Sequence, residues 1–368
     1  MQKIHILTFW AVPNYGAFAQ AYALSQVVRL IKPDAEVKHI AYLHPKHINL
    51  YFGKKIPKPH NAKDFIRLSY YRNWIRYFTG SAPTYPHFAK AWNAIPHIDI
   101  ASPDILEKMQ WDILITGSDA IWEYSIKAFG DDVHLIGNRM KCRRLISYAA
   151  SFGDMNTGDH FPDFVKSGLE KYDALSVRDL SSYEIVCEQL QRNAECPIVL
   201  DPSLLFNFQQ DKGIPAPPYE RYILVYGNSF PAPLVEEVKL YARQKGLHII
   251  GAGLAPEWCD MRLTDIEPTA WIGMFSKADL VVTCTFHGLM FSLSYNRTVV
   301  FCPIAYVKNR SRWLLSQLGL DALYRTDTTL AEVLEYEWEW ECINDRLHKL
   351  RDSSLSFLKK VLANEKYI

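Results

Sequence analysis

His287 stands in Cys284-Thr285-Phe286-His287-Gly288, directly after an apolar run and at the start of a predicted helix. An imidazole gives or takes a proton near neutral pH. A helix N-terminus carries unpaired N–H groups and a partial positive charge, so it favours a phosphate or carboxylate. Gly288 lets the backbone approach a ligand closely. A capping or core histidine is the competing explanation. Arg178-Asp179 also follows an apolar run, and the planar guanidinium fits a carboxylate or phosphate. A structural ion pair competes with that role. Gly117-Ser118-Asp119 puts a carboxylate at a third strand end, as a general base, a hydroxyl-orienting group or an N-cap. Lys308, Arg310 and Arg312 lie within five residues. They can clamp a polyanion or form a solvated basic loop. Asp131, Asp132 and His134 match no firm metal spacing and read as a loop.

These residues need strands to position them. Ile4 to Phe9 is an apolar run of the kind buried on both faces of a parallel sheet. A loop with Pro13, Asn14 and Gly16 leads to helical spacing from Ala17 to Ile31, then to a strand from Glu36 to Leu43. Strand, helix, strand with short joints is a βαβ unit. Further strands are predicted at Asp112–Thr116, Arg144–Ala149, Ala174–Val177 and Ile198–Leu200. Small or polar residues stand just past each one, at the edge where open α/β sheets bind ligands.

Asn207 to Glu220 hold three prolines and one glycine and read as a linker. A second α/β pattern follows, with strands at Tyr222–Tyr226, Leu247–Gly251, Asp279–Thr283 and Thr298–Cys302. Helices are predicted at Leu234–Lys245, around Trp271–Lys277, at Thr285–Tyr295 and at Asp345–Ala363. The expected division is 1–206 and 207–368, with the last helix packing back on the first domain. A ligand site belongs in the cleft between two such domains.

Residues 44–85 interrupt the pattern. They carry eight Lys and Arg (46, 54, 55, 58, 63, 67, 72, 76), one acid, Asp64, and interleaved aromatics. A solvated insertion is one reading, favoured because charge runs are usually exposed faces. Peripheral contact with an anionic membrane or a lipid-linked acceptor is the other.

The 368 residues carry 41 Lys and Arg against 40 Asp and Glu, with 49% hydrophobic residues. That hydrophobic content excludes a disordered chain, and the near-zero charge argues against a dedicated nucleic-acid partner. Seven cysteines, none in C-x-x-C spacing, fit a reducing cytoplasm. No apolar run is long enough to span a membrane, and Met1–Val12 reads as a buried strand and not a signal peptide. P-loop, G-x-G-x-x-G, G-x-S-x-G and H-E-x-x-H motifs are absent.

The ordered motifs resemble the polysaccharide pyruvyl transferase family. The matching stretches are Thr8-Phe9 with Asn14-Tyr15-Gly16-Ala17 and Gln20–Leu24; Gly117-Ser118-Asp119 with Trp122; Ser147–Gly153; Ser176-Val177-Arg178-Asp179; Asp201-Pro202 with Leu200 and Ser203–Leu205; and Val282–Gly288 through Phe291-Ser292. The resemblance implies an α/β, GT-B-like fold, two Rossmann-like domains facing across a cleft. It implies phosphoenolpyruvate as donor, a sugar or lipid-linked oligosaccharide as acceptor, and a pyruvate ketal as product. On this reading His287, Asp119 and Arg178 are catalytic. Arg178, His287, Gly288, Lys308 and Arg310 hold the donor. Asn14, Tyr15, Gly16 and Asp119 line the acceptor side. No metal or organic cofactor is expected, and the expected location is the cytoplasm, extending to the inner face of the membrane. Cys284 stands where a small or acidic residue is common, and Ala120 where Gln is common. A GT-B glycosyltransferase using a nucleotide sugar and a non-catalytic two-domain ligand-binding protein are the alternatives.

Overall fold

Two sheets of five parallel strands carry the chain, and in each the first strand in sequence lies at the centre. The structure is a computed structural model, and it describes residues 1–42, 44, 47, 51, 71, 85–100, 102–127, 132–191, 195–324 and 329–363. The basic segment 44–85, its membrane reading and Asp131 therefore lie almost wholly outside the described residues.

The first sheet holds β1 (Lys3–Leu7), β2 (Glu36–Ala41), β3 (His97–Asp99), β4 (Gln110–Thr116) and β5 (Lys141–Ser147), in the order β3-β2-β1-β4-β5. Ile4, Ile6, Leu7 and Ile113–Ile115 are buried, as strands covered on both faces must be. The second holds β6 (Tyr222–Tyr226), β7 (His248–Ala252), β8 (Met261–Leu263), β9 (Ala278–Thr283) and β10 (Val299–Phe301), in the order β10-β9-β6-β7-β8.

The described helices are α1 (Tyr15–Ile31), α2 (Pro86–Ala94), α3 (Pro103–Lys108), α4 (Phe164–Leu169), α5 (Leu180–Leu190) and α6 (Pro202–Leu205), then α7 (Ala232–Lys245), α8 (Pro268–Gly273), α9 (Phe286–Ser294), α10 (Ala305–Leu318), α11 (Leu330–Glu335) and α12 (Trp340–Leu362). Both sheets reverse direction of winding beside their central strand. In the first, β1 has β2 on one side and β4 on the other; in the second, β6 lies between β7 and β9. The carboxyl ends at such a reversal form a crevice, the usual ligand site of open α/β sheets.

Three local expectations differ from the structure. Ala174–Val177 and Ile198–Leu200 are not strands but single bridge pairings, Ile146 with Ala174, Ala150 with Val177, and Val177 with Ile198. Isolated backbone bonds remain, such as Ser147 N to the Ala174 carbonyl at 3.0 Å and Val199 N to the Val177 carbonyl at 2.8 Å, and serine hydroxyls add to them. Ser147 Oγ donates to the Ser176 carbonyl at 2.9 Å, and Ser176 Oγ donates to the Ser147 carbonyl at 2.9 Å. The predicted helix around Trp271–Lys277 splits into α8 and a tighter turn over Met274–Lys277. Lys308, Arg310 and Arg312 sit on α10 instead of a loop.

The segment between the sheets is anchored. Phe208 is buried against Phe206 and Phe291, and Tyr22 donates to Asp211 at 2.6 Å. At the other end, α12 lies on the first half of the chain. Ser354 Oγ accepts from the Leu200 amide at 3.0 Å, and Arg351 Nε donates to the Leu204 carbonyl at 2.8 Å. All seven cysteines are free thiols. Among the described residues no helix is long and apolar enough to cross a membrane.

Candidate active site

The crevices of the two sheets meet. In the first sheet, the chain turns after β4, where Thr8 Oγ1 donates to the Ser118 carbonyl at 2.7 Å. Asp119 follows with φ +83°, a left-handed conformation that strains a non-glycine residue. In the second sheet, Thr283 Oγ1 donates to the Tyr226 carbonyl at 2.7 Å and fixes the turn after β9. Thr285 then caps α9, accepting from the Gly288 amide at 3.0 Å. His287 is thereby turned back toward the first sheet.

The first half supplies the acids and one base. Arg178 Nη1 donates to Asp201 Oδ2 at 2.7 Å, and its Nη2 lies 3.3 Å from Asp119 Oδ1. Asp201 also accepts from Ser118 Oγ at 3.3 Å, Ser203 Oγ at 2.7 Å and the Ser203 amide at 3.0 Å. The second half supplies His287, whose Nε2 is 3.8 Å from Asp201 Oδ1, and Arg310. The Arg178 and Arg310 guanidiniums lie 4.6 and 5.2 Å from the centre of the Phe286 ring. Arg310 also stacks on Tyr306 at 4.5 Å.

His287 touches the first half directly. A Cβ at residue 16 would stand 2.1 Å from His287 Nδ1, so α1 can approach only because residue 16 is glycine. Three nitrogens in this cluster are buried without a hydrogen-bond partner: His287 Nε2, Arg178 Nε and Arg310 Nε. Buried donors without partners are costly, so such a group marks a place built for an acceptor.

Burial lowers the His287 pKa, and Arg178 and Arg310 lower it further against the pull of Asp201 and Asp119. The imidazole is therefore neutral near pH 7. Burial opposes ionisation of Asp201, but the His287 and Arg178 charges and the Ser203 and Arg178 bonds hold its carboxyl down at about 2. Asp119, its side chain 15% exposed, is likewise held below the usual carboxylate range, its burial outweighed by Arg178, Arg310 and His287. Glu123 is the nearby exception. Burial raises its pKa, and both oxygens accept bonds, one from Ser125 Oγ and one from the Asp154 amide.

The structure thus brings Asp119, Arg178, His287, Arg310 and Gly16 together. It does not bring in the rest. Lys308 stacks on Tyr324 at 4.6 Å, because two residues along a helix is more than half a turn from Arg310. Arg312 also faces Tyr324. The Gly288 amide is already bound to Thr285. Asn14 caps α1, accepting from the Ala17 amide at 3.1 Å. Tyr15 is buried, and its hydroxyl donates to the Ile266 carbonyl at 3.0 Å across the two halves. Asp132 and His134 belong to a separate network with Tyr42 and Glu107. No group of three or more His, Cys, Asp or Glu side chains is arranged for a metal among the described residues.

Asp201, Phe286 and Tyr306 are the site residues that the sequence reading did not single out. Asp201 ends the Ile198–Leu200 run as Asp119 ends Asp112–Thr116, which is the signal that could have found it. A separate groove of about 710 Å³, lined by Val27, Leu30, Leu205, Phe206, Leu355 and Ala363 among others, includes none of these residues.

MnaA of S. aureus, solved with UDP, aligns with a TM-score of 0.50 and 9% identity over 99% of this chain and 97% of its own. A candidate UDP-N-acetylglucosamine 2-epimerase of Listeria monocytogenes aligns with a TM-score of 0.50 and 10% identity over 99% and 98%. At such identities the likeness shows the fold alone: two Rossmann-like domains in the GT-B-like arrangement. No curated protein matches the chain. Residues 14–306 match the polysaccharide pyruvyl transferase family, a span that contains every member of the cluster except Arg310. With the fold and most of its length in agreement, the chain belongs to the polysaccharide pyruvyl transferase family.

Proposed function

We propose that the protein moves the enolpyruvyl group of phosphoenolpyruvate onto two hydroxyls of a sugar, forming a pyruvate ketal and releasing phosphate. The acceptor is a cell-surface glycan precursor, soluble or lipid-linked. The observation that carries this reading is the convergence of His287 Nε2, Arg178 Nε and Arg310 Nε, three buried nitrogens without partners, at the meeting of both crevices. Family membership supports a transferase acting in a polysaccharide context.

The donor carries about three negative charges, and two guanidiniums fit its carboxylate and phosphate. A bound anion beside His287 favours the imidazolium, so a ring that rests neutral becomes a general acid when the donor arrives. It protonates the methylene carbon, positive charge builds at C2, and the first sugar hydroxyl attacks there. Asp119 accepts or orients that hydroxyl proton. Phosphate then leaves with the electrons of its C2–O bond, and the second hydroxyl closes the ketal, giving its proton to the departing phosphate. The seven free thiols suit a reducing compartment, which supports a cytoplasmic reaction.

Thermal unfolding with phosphoenolpyruvate, beside a panel of UDP-sugars, tests the donor. A ligand at 100 times its Kd adds about 2.7 kcal/mol, which raises the midpoint by several degrees. The expected result is a rise with phosphoenolpyruvate that shrinks in His287→Ala, together with loss of phosphate release in a variant that still unfolds cooperatively. A rise with a nucleotide sugar alone would replace pyruvyl transfer by glycosyl transfer. Full activity of His287→Ala would remove the histidine from the chemistry.

A further inference from the structure

Asp201 joins the two halves of the site. Its Oδ2 accepts from Arg178 Nη1 at 2.7 Å and Ser118 Oγ at 3.3 Å. Its Oδ1 accepts from the Ser203 hydroxyl at 2.7 Å and the Ser203 amide at 3.0 Å, and lies 3.8 Å from His287 Nε2. The Asp201 side chain is 1% exposed. Four donors leave the carboxylate little freedom to rotate. A separation of 3.8 Å is too long for a hydrogen bond but short for attraction between charges in a buried site. The other charged groups acting on the ring are Asp119, Arg178 and Arg310. Arg178 is shared between both carboxylates, while the opposite edge of the ring, at Nδ1, packs on uncharged Gly16.

We propose that Asp201 is the positioning residue of this site: it locks Arg178 in place and keeps the exchangeable proton on Nε2 of His287. A carboxylate facing one ring nitrogen favours the tautomer with hydrogen on that nitrogen, and it is the counter-ion of the imidazolium when a second proton binds. The nitrogen that carries the proton is then the buried, unpartnered one that faces Asp201. What the proton is used for rests on the pyruvyl-transfer reading; where it resides is a property of the free protein.

The test is a ring ¹⁵N NMR titration of His287 in the full chain without ligand, for wild type and Asp201→Asn. The expected wild-type spectrum is that of the Nε2–H tautomer. In Asp201→Asn the Nδ1–H form grows and the titration midpoint moves to lower pH, because the imidazolium has lost its counter-ion. An unchanged tautomer ratio and midpoint overturn the proposal. Breaking the pair with Arg178 can unfold the variant. Ser203→Ala then serves, since it keeps the charge and removes the hydroxyl, one of the two donors on Oδ1, so that the carboxylate acts more strongly on the ring. Its midpoint should move to higher pH, and no movement again overturns the proposal. Phosphate release from phosphoenolpyruvate is followed on the same proteins, with kcat expected to fall by about tenfold or more in Asp201→Asn. A wild type that releases no phosphate refutes the pyruvyl-transfer reading and leaves the NMR result to decide the role of Asp201.

Discussion

A single methyl group at position 16 should silence the enzyme. Ala is a better helix residue than Gly by about 0.5–1 kcal/mol, so α1 itself has no reason to object. The new Cβ, however, would sit 2.1 Å from His287 Nδ1 and must displace the ring. We expect Gly16→Ala to lose more than about tenfold in kcat while its unfolding midpoint moves by only a few degrees. Retained activity would mean that the ring position is not critical. His287, Arg178 and Asp119 stood out because each follows an apolar run, and the fold brings the ends of those runs together, although the run before Arg178 forms only bridge pairings. Asp201 follows such a run too, but it also accepts from the Ser203 amide at the start of α6, so Asp201-Pro202-Ser203 looks like a simple helix start. Lys308 and Arg310 look equivalent in the sequence, where a polyanion clamp and a solvated basic loop both fit. On α10 one turns to Tyr324 and the other to Phe286.

Between elements, His134 ties three pieces of the first half together. Its Nδ1 lies 3.1 Å from Asp132 Oδ1 and its Nε2 3.0 Å from Glu107 Oε1 on α3, while Tyr42, just past β2, donates to Asp132. Burial disfavours the charged ring, but Asp132 and then Glu107 outweigh it and raise the His134 pKa. A histidine raised on folding stabilises fully below its unfolded pKa, and the gain is lost as pH rises through the folded value. His134→Gln should therefore cost more stability at pH 6 than at pH 8 in urea unfolding. An equal cost at both would show that the ring is not charged in the native state. Strands with long apolar runs were readable at this level, with ends moved by a few residues. β3 and β8 were not, since His97-Ile98-Asp99 and Met261-Arg262-Leu263 are three residues each, too short to show a period. Only their neighbours in the sheet make them strands.

For the whole molecule, the seam between the halves is held by residues far apart in sequence. Tyr15 packs on Phe88, Tyr226 and Trp271, and its hydroxyl reaches the Ile266 carbonyl. Tyr15→Phe keeps the ring and removes that bond, leaving a carbonyl without its partner. The expected loss is about 1 kcal/mol. It should appear in calorimetry as a lower midpoint for the full chain, and an unchanged midpoint would leave the seam to the rings alone. Two α/β halves were visible in the alternation of strands and helices. How they dock was not, because Tyr15 meets Ile266 through contacts that no local spacing encodes. The docking has a kinetic corollary. Around His287 the two guanidiniums and two carboxylates cancel, and the chain as a whole carries only +1. Such a site projects little field beyond its walls, so the anionic donor proposed above would be captured by contact and not drawn in from a distance. Its kcat/KM should then change less than about twofold between low and physiological ionic strength, where a steered encounter would slow steeply.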